Sequence, residues 1–507
     1  MFRIVSIDQA VSYIKDGDCI GINAFLSLCN PTELHEAIAE RFEATGHPND
    51  LTLYGSCGFG SWDENANADR YAAAGAVKKV IAGHYASMPA ISRLAAENKI
   101  EAYNLPLGIM SHSIRAAAGG QSGLLSKLGL NLFVDPRIDG PAMNSISKDE
   151  LVKVVDVDGE EFMYYKTPKF DVALLKGTTV DPNGNITFEK ECLTVDALAL
   201  AQATKANGGI VIVQVERVSH VFARPRNVIV PGILVDYVVV VGEQKQTLHG
   251  DYNPTLSGDI HVPPSHMDYW LSQMKLSGKR GDKETDPSHL VIGERASQEL
   301  KAGQVVNLGI GIPEVVAQCA SRAGKLNELT LTVESGGIGG LPAPGVAFGA
   351  TIGADFISDT SQQFDLYNGG GLDICFMGGL EIDMYGNVNA HKLANKFVGI
   401  GGFANITYST KTVVFCVTFN TKGLKTHEED GRLVIDNEGS IKKFKREIAA
   451  VSFSAKNALT QGQNVLYVTE RCVFKLVEGG LKIVEVTPGV DLQRDILDQL
   501  DFVPIMD

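Results

Sequence analysis

The chain repeats itself, and no other feature constrains its fold as much. Asn49-Asp50-Leu51-Thr52-Leu53 runs into a Gly-rich stretch ending Gly58-Phe59-Gly60, and 278 residues later (49 to 327) Asn327-Glu328-Leu329-Thr330-Leu331 runs into Thr332-Val333-Glu334-Ser335-Gly336-Gly337-Ile338-Gly339. A second pair lies 202 apart (171 to 373). Asp171-Val172-Ala173-Leu174-Leu175-Lys176-Gly177 leads to Asp181-Pro182-Asn183-Gly184-Asn185, and Asp373-Ile374-Cys375-Phe376-Met377-Gly378-Gly379 leads to Asp383-Met384-Tyr385-Gly386-Asn387. A third pair opens each half: Ile14-Lys15-Asp16-Gly17-Asp18-Cys19-Ile20 matches Leu300-Lys301-Ala302-Gly303-Gln304-Val305-Val306, and each reaches a Pro (Pro31, Pro313) that leads into a helical pattern.

Two copies of one unit are therefore expected, with about 76 extra residues (278 less 202) between the matched segments of the first copy. A chain of 507 residues also exceeds the size of one hydrophobic core. The expected domains are 1–274 and 289–507. The charged stretch that starts at Lys275, within a connector at 275–288, lacks an apolar period. Short continuous apolar runs, Ile210 to Val215 and Thr412 to Val417, read as strands buried on both faces, as in a parallel sheet. Helical patterns from Leu34 to Phe42 and from Val315 to Ala323 alternate with them. The expected fold class is α/β: two tandem homologous open α/β domains with mostly parallel sheets. In such sheets ligands bind at the carboxyl ends of the strands.

Charge and composition narrow the function. A net charge of −15 is wrong for wrapping a polyanion such as DNA, so no nucleic-acid partner is expected. None of the eight Cys form a CxxC pair and the eleven His show no metal-ligand spacing, so reduced thiols and no metal are expected. The N-terminus has no apolar signal region and no apolar stretch approaches the ~20 residues of a membrane span, so a cytoplasmic protein with no membrane partner is expected.

The chemistry points to Glu334. An apolar strand ends in this Glu and small residues follow it, so the carboxylate can face a substrate closely. The matched residue of the first copy, Ser56, carries no carboxylate, so the fold does not need one there. A solvated Glu at a turn is the competing reading. Gly309-Ile310-Gly311 precedes a helix whose amides can bind an anion, and Gly399-Ile400-Gly401-Gly402 can offer amides to an oxyanion. Plain turns and close packing are their alternatives. The triple Gly369-Gly370-Gly371 reads as a structural turn. No GxxxxGK[ST], no dinucleotide fingerprint and no GxSxG occurs. A carboxylate nucleophile beside glycine loops suits acyl transfer through an acyl-enzyme.

These residues resemble class I coenzyme A-transferases. LGIGIP (308–313), VESGGIGG (333–340) and GIGGF (399–403) carry the likeness. The fused halves, GNITFEKE (184–191), QFDLYNGGGLDICF (363–376), VTERCVF (468–474) and PGVDLQRDILDQLDF (488–502) are similar to the acetate/propionate branch. The resemblance implies that Glu334 attacks an acyl-CoA, forms a glutamyl-CoA thioester and passes CoA to a free carboxylic acid. It implies that the loops of Gly309, Ile310, Gly311, Gly399, Gly401 and Gly402 hold the thioester and its oxyanion. It implies no metal, no cofactor besides CoA as substrate, and a homo-oligomer (dimer or tetramer). The first half departs from the family pattern at Asn23-Ala24-Phe25 and at Leu107, which follows Ala102-Tyr103-Asn104. These positions are expected to line the acyl pocket, and Leu107 to make it larger or more apolar than acetate requires. Two alternatives stay open: an acyl-CoA hydrolase on the same scaffold, and a non-catalytic acyl-CoA-binding or regulatory protein.

Overall fold

The computed structural model describes residues 2–248, 250–263, 266, 286–393 and 396–506. Residues 275–285 of the expected connector lie outside these. Its last three form the Asp286 cap and first turn of the Pro287–Ser297 helix.

Each half builds one large sheet. In the first, eight strands run parallel in the order Arg3–Ile4, Tyr237–Val240, Ile210–Val218, Val172–Val180, Cys19–Ile22, Leu51–Gly55, Val77–Ala82 and Glu101–Asn104. In the second, the parallel core runs Asn464–Val468, Thr412–Cys416, Ile374–Met377, Val305–Leu308 and Thr330–Thr332. Five strands of each sheet thus share one order. Antiparallel strands extend the second sheet at both edges: Gly337–Ile338 beyond Thr330–Thr332, and Cys472–Val477 beyond Asn464–Val468. The extra residues of the first half build the strands Val77–Ala82 and Glu101–Asn104 and a small antiparallel sheet from Gly123–Ser126, Val152–Val157 and Glu160–Lys166.

The matched sequence segments do matched jobs. The Asp171 carboxylate accepts the Cys19 amide at 2.8 Å, and Asp373 accepts the Val305 amide at 2.9 Å, so each aspartate staples two neighbouring strands. Asp181 closes its turn on the amides of Asn183 and Asn185, and Asp383 on those of Tyr385 and Asn387. Gly17 and Gly303 both sit at φ +80°, where only a glycine turns without strain. The helical patterns become the Thr32–Thr45 and Ile312–Arg322 helices. One apolar cluster continues through both halves, from Phe25, Leu107 and Phe170 to Phe364, Phe415 and Phe474. Burial of that kind is the main favourable term in folding.

The halves meet near the carboxyl ends of their strands. The Gly401 amide donates to Gly83 O at 2.7 Å, the Leu107 amide to Gly401 O at 2.9 Å, and the Thr360 amide to Val195 O at 3.0 Å. No described helix is long and apolar enough to cross a membrane.

Candidate active site

Glu334 stands two residues past the Thr330–Thr332 strand, at the junction of the halves. Its neighbours are held tightly. Ser335, fully buried, donates its hydroxyl to Gly349 O and accepts at its own carbonyl from Thr360 Oγ1 at 3.4 Å. Gly336 is at φ +132° and packs against Ser358 O, so no side chain fits there. Below the loop, Asn307 Nδ2 and the Tyr367 hydroxyl bond to Thr332 and to each other.

Glu334 is part-buried, and protein atoms crowd its carboxyl. Desolvation pushes its carboxyl up to about 7, and a hydrogen bond from the Gly402 amide opposes the rise. The two positions are in intimate contact: a Cβ on Gly402 would stand 2.9 Å from Glu334 Cδ, closer still to Oε2, and 3.1 Å from Phe364 Cζ. Cys57 and Tyr367 both feel the Glu334 charge, and burial holds both in their neutral forms.

The other glycines of that loop do not serve as expected. The Gly399 amide donates to His391 O at 3.1 Å, Ile400 to Asn104 Oδ1 at 2.9 Å and Gly401 to Gly83 O at 2.7 Å. The Ile400 and Gly401 amides are therefore spent on docking the halves and the Gly399 amide on a contact within the second half, and only the Gly402 amide turns to Glu334. Gly399 is glycine because a Cβ would meet Gly83 O at 2.7 Å and His84 Cα at 2.8 Å. The Gly309-Ile310-Gly311 turn follows the strand next to that of Glu334. The Gly309 amide is held by Phe376 O at 2.8 Å. The Ile310 and Gly311 amides have no partner among the described residues; Ile310 is 50% exposed, and Gly311 (φ +90°) caps the Ile312–Arg322 helix.

The expected acyl-pocket residues split. Leu107 is fully buried at the start of the Leu107–Ala118 helix, tied through its amide to Gly401. Phe25 reaches the second half, with its ring 6.4 Å from that of Phe348 and packed on Gly349, whose carbonyl holds Ser335. Ala24 instead joins a separate apolar cluster with Leu34, Ile38 and Phe59. Asn23 spends its amide on structure, donating to Thr194 O at 3.2 Å and accepting from the Asp196 N–H at 2.9 Å. The Asp196 carboxylate, bonded to Ser56 and Ser111, gave no signal in the sequence because its partners are 140 and 85 residues away. A cleft of about 660 Å³ opens where Leu193 and Thr194 face Ile357, and it does not include Glu334.

Comparison with known proteins places this arrangement. The family model described as "Coenzyme A transferase" matches residues 4–241 and 290–494. The chain is 41% identical to caffeate CoA-transferase of Acetobacterium woodii, over 99% of this chain and 95% of that one. It is 40% identical to acetate CoA-transferase YdiF of Escherichia coli K12, over 99% and 92%. The crystal structure of YdiF apoenzyme from E. coli O157:H7 superposes with a TM-score of 0.91 at 38% identity, covering 100% of this chain and 94% of that one. YdiF has also been solved as a thioester complex with CoA, with the same TM-score. A carboxylate on an amide between two fused, like-ordered sheets, together with whole-chain likeness to two CoA-transferases, identifies the chain as a member of the coenzyme A-transferase family.

Proposed function

We propose that this CoA-transferase works by a ping-pong route in which Glu334 is the nucleophile. The observation that carries the reading is the placement of the Glu334 carboxylate, desolvated and seated on the Gly402 amide. A Glu334 oxygen attacks the thioester carbonyl of acyl-CoA. The C–S bond breaks, leaving an acyl-glutamyl anhydride and CoA thiolate. The thiolate attacks the glutamyl carbonyl, which releases the first acid as its carboxylate and leaves a glutamyl-CoA thioester. An acceptor carboxylate then reverses the steps, and CoA leaves on the new acyl group. Oxyanion stabilisation falls to the Gly402 amide and to the Ile310 and Gly311 amides, which have no partner among the described residues.

The substrates in this reading are short-chain acyl-CoA and free short-chain acids: acetate, propionate, butyrate or similar. Leu107, Phe25 and Phe364 give the site apolar surroundings that favour the longer acids. The enzyme is read as a cytoplasmic homo-oligomer, dimer or tetramer, needing no metal; its eight thiols, all free, fit a reducing compartment.

The test is intact-mass analysis after mixing with acyl-CoA and no acceptor. A CoA-sized adduct mapping to Glu334, absent from Glu334→Ala, is expected. Steady CoA release without an acceptor would make the protein a hydrolase instead, and no adduct at all would remove the covalent route.

A further inference from the structure

The internal repeat extends into the site, with one exchange. Ser56 stands just past its strand as Glu334 stands just past the equivalent one, 278 residues on. The Ala197–Ala206 and Phe403–Tyr408 helices occupy the same place, each between two equivalent parallel strands, and their N-caps are Asp196 and Gly402. In the second half a strand-end carboxylate rests on a glycine N-cap. In the first half an N-cap carboxylate accepts from a strand-end serine. The carboxylate has changed sides of the same pair. Gly402 has no room for a side chain while Glu334 is present, and the first half carries Asp196 at the corresponding cap.

Asp196 is only 4% exposed, yet its side chain does not cap its own helix. One oxygen accepts from Ser56 Oγ and the other from Ser111 Oγ, while its backbone N–H is held by Asn23. From this hub two paths reach the nucleophile. Through Ser56 it fixes the segment that continues into Cys57, whose thiol feels the Glu334 charge. Through Thr194 and Val195 it fixes the second half: Thr194 Oγ1 donates to Asp359, Val195 O accepts the Thr360 amide, and Thr360 Oγ1 reaches Ser335 O. One three-residue segment of the first half thus bonds both to Ser56 and to the residues that hold Ser335, next to Glu334.

We infer that Asp196 is a positioning residue for Glu334, acting from the first half through Ser56–Cys57 and through the Thr194–Asp359 and Val195–Thr360 bonds. The inference rests on the proposed role of Glu334. Its carboxyl, pushed up to about 6 by burial against the two serine hydrogen bonds, is kept for its shape and acceptors, which asparagine reproduces in part.

The experiment compares Asp196→Ala, Asp196→Asn and Ser56→Ala/Ser111→Ala with wild type. It measures the rate of CoA-adduct formation on Glu334, kcat, KM for acyl-CoA and Tm. In Asp196→Ala, adduct formation and kcat are expected to fall together by about 10- to 100-fold, as a displacement near 1 Å would cause. The KM for acyl-CoA should stay within about threefold, since the thioester's binding surface is untouched. Asp196→Asn should recover most of the rate. The double serine variant should fall in the same direction, and it decides the matter if Asp196→Ala does not fold. A lower Tm with adduct rate and kcat unchanged would make Asp196 merely structural and overturn the inference. Wild type that forms the adduct, with all variants matching it, defeats this inference and leaves the role of Glu334 standing. Wild type that forms none defeats both.

Discussion

Gly402→Ala isolates the placement of the nucleophile from everything else. Gly402 has φ −83° and ψ −4°, a conformation alanine adopts without strain, so the backbone has no reason to object. The added methyl carbon, however, would stand 2.9 Å from Glu334 Cδ, whereas carbon atoms settle at roughly 3.5–4.0 Å. The carboxyl must therefore retreat by at least about 0.6–1.1 Å, since Oε2 stands nearer still, and Phe364, whose Cζ is 3.1 Å from the same point, blocks one way out. A shift near 1 Å costs about 100-fold in a positioned reaction, or about 2.7 kcal/mol. Adduct formation with acyl-CoA, timed by rapid quench and intact mass, should slow by about that factor, while the Tm changes by only a few degrees. A shorter nucleophile supplies the control. Glu334→Asp should be slow in the wild-type background, yet lose less in the Gly402→Ala background, because the shortened chain relieves the clash. Unaltered adduct kinetics in Gly402→Ala, or strict additivity of the two changes, would refute the contact as the source of placement.

Burial pushes Glu334 up to about 7, and only its anion attacks, so adduct formation should climb about tenfold per pH unit below 7 and level off above it. Its neighbours Cys57 and Tyr367 are held neutral in that window, and a flat profile from pH 5.5 to 8.5 refutes the reading. Leu107→Gln places a polar amide at a fully buried position and should shift kcat/KM toward acetate and away from C4–C6 acids; an unchanged preference removes Leu107 from the acyl pocket. Arg471, with no exposed surface, bonds to Glu438, Glu470 and Asp495 O. Arg471→Met leaves the buried Glu470 without its counter-charge and should cost about 3–5 kcal/mol in chemical denaturation, with under about 1 kcal/mol refuting the pairing.

What could be read from the sequence is what local chain chemistry encodes. The Asp-to-Gly-Asn turns, the opening Asp-Gly and Ala-Gly turns and the apolar strands repeat because each half must make the same staples and the same buried sheet, and the structure uses them so. Position 334 stood out for the same reason: a carboxylate appears just past a strand where its partner copy has serine. The glycine loop was misread in part. Glycine announces that something comes close, and the sequence does not say what. At Gly399 it is the backbone of Gly83 and His84, from the other half, rather than a ligand. Asp196 was invisible because its meaning lies in Ser56, Ser111 and Asn23, brought together only when the sheets form. Ala24, one residue from Phe25, points into another cluster, as alternation along an extended segment requires.

The duplication also explains why only one half carries a glutamate at this place. A Glu at a strand end needs a glycine at the neighbouring N-cap, since any Cβ there would collide with the carboxylate. The first half has Asp at that N-cap and so cannot accept a glutamate at position 56 without burying two carboxylates against each other, which the desolvation already raising Asp196 would make costly. The second half has the glycine and the glutamate. One half thus uses its carboxylate as an internal anchor bonded to Ser56 and Ser111, and on the proposed reading that anchor steadies the nucleophile of the other half.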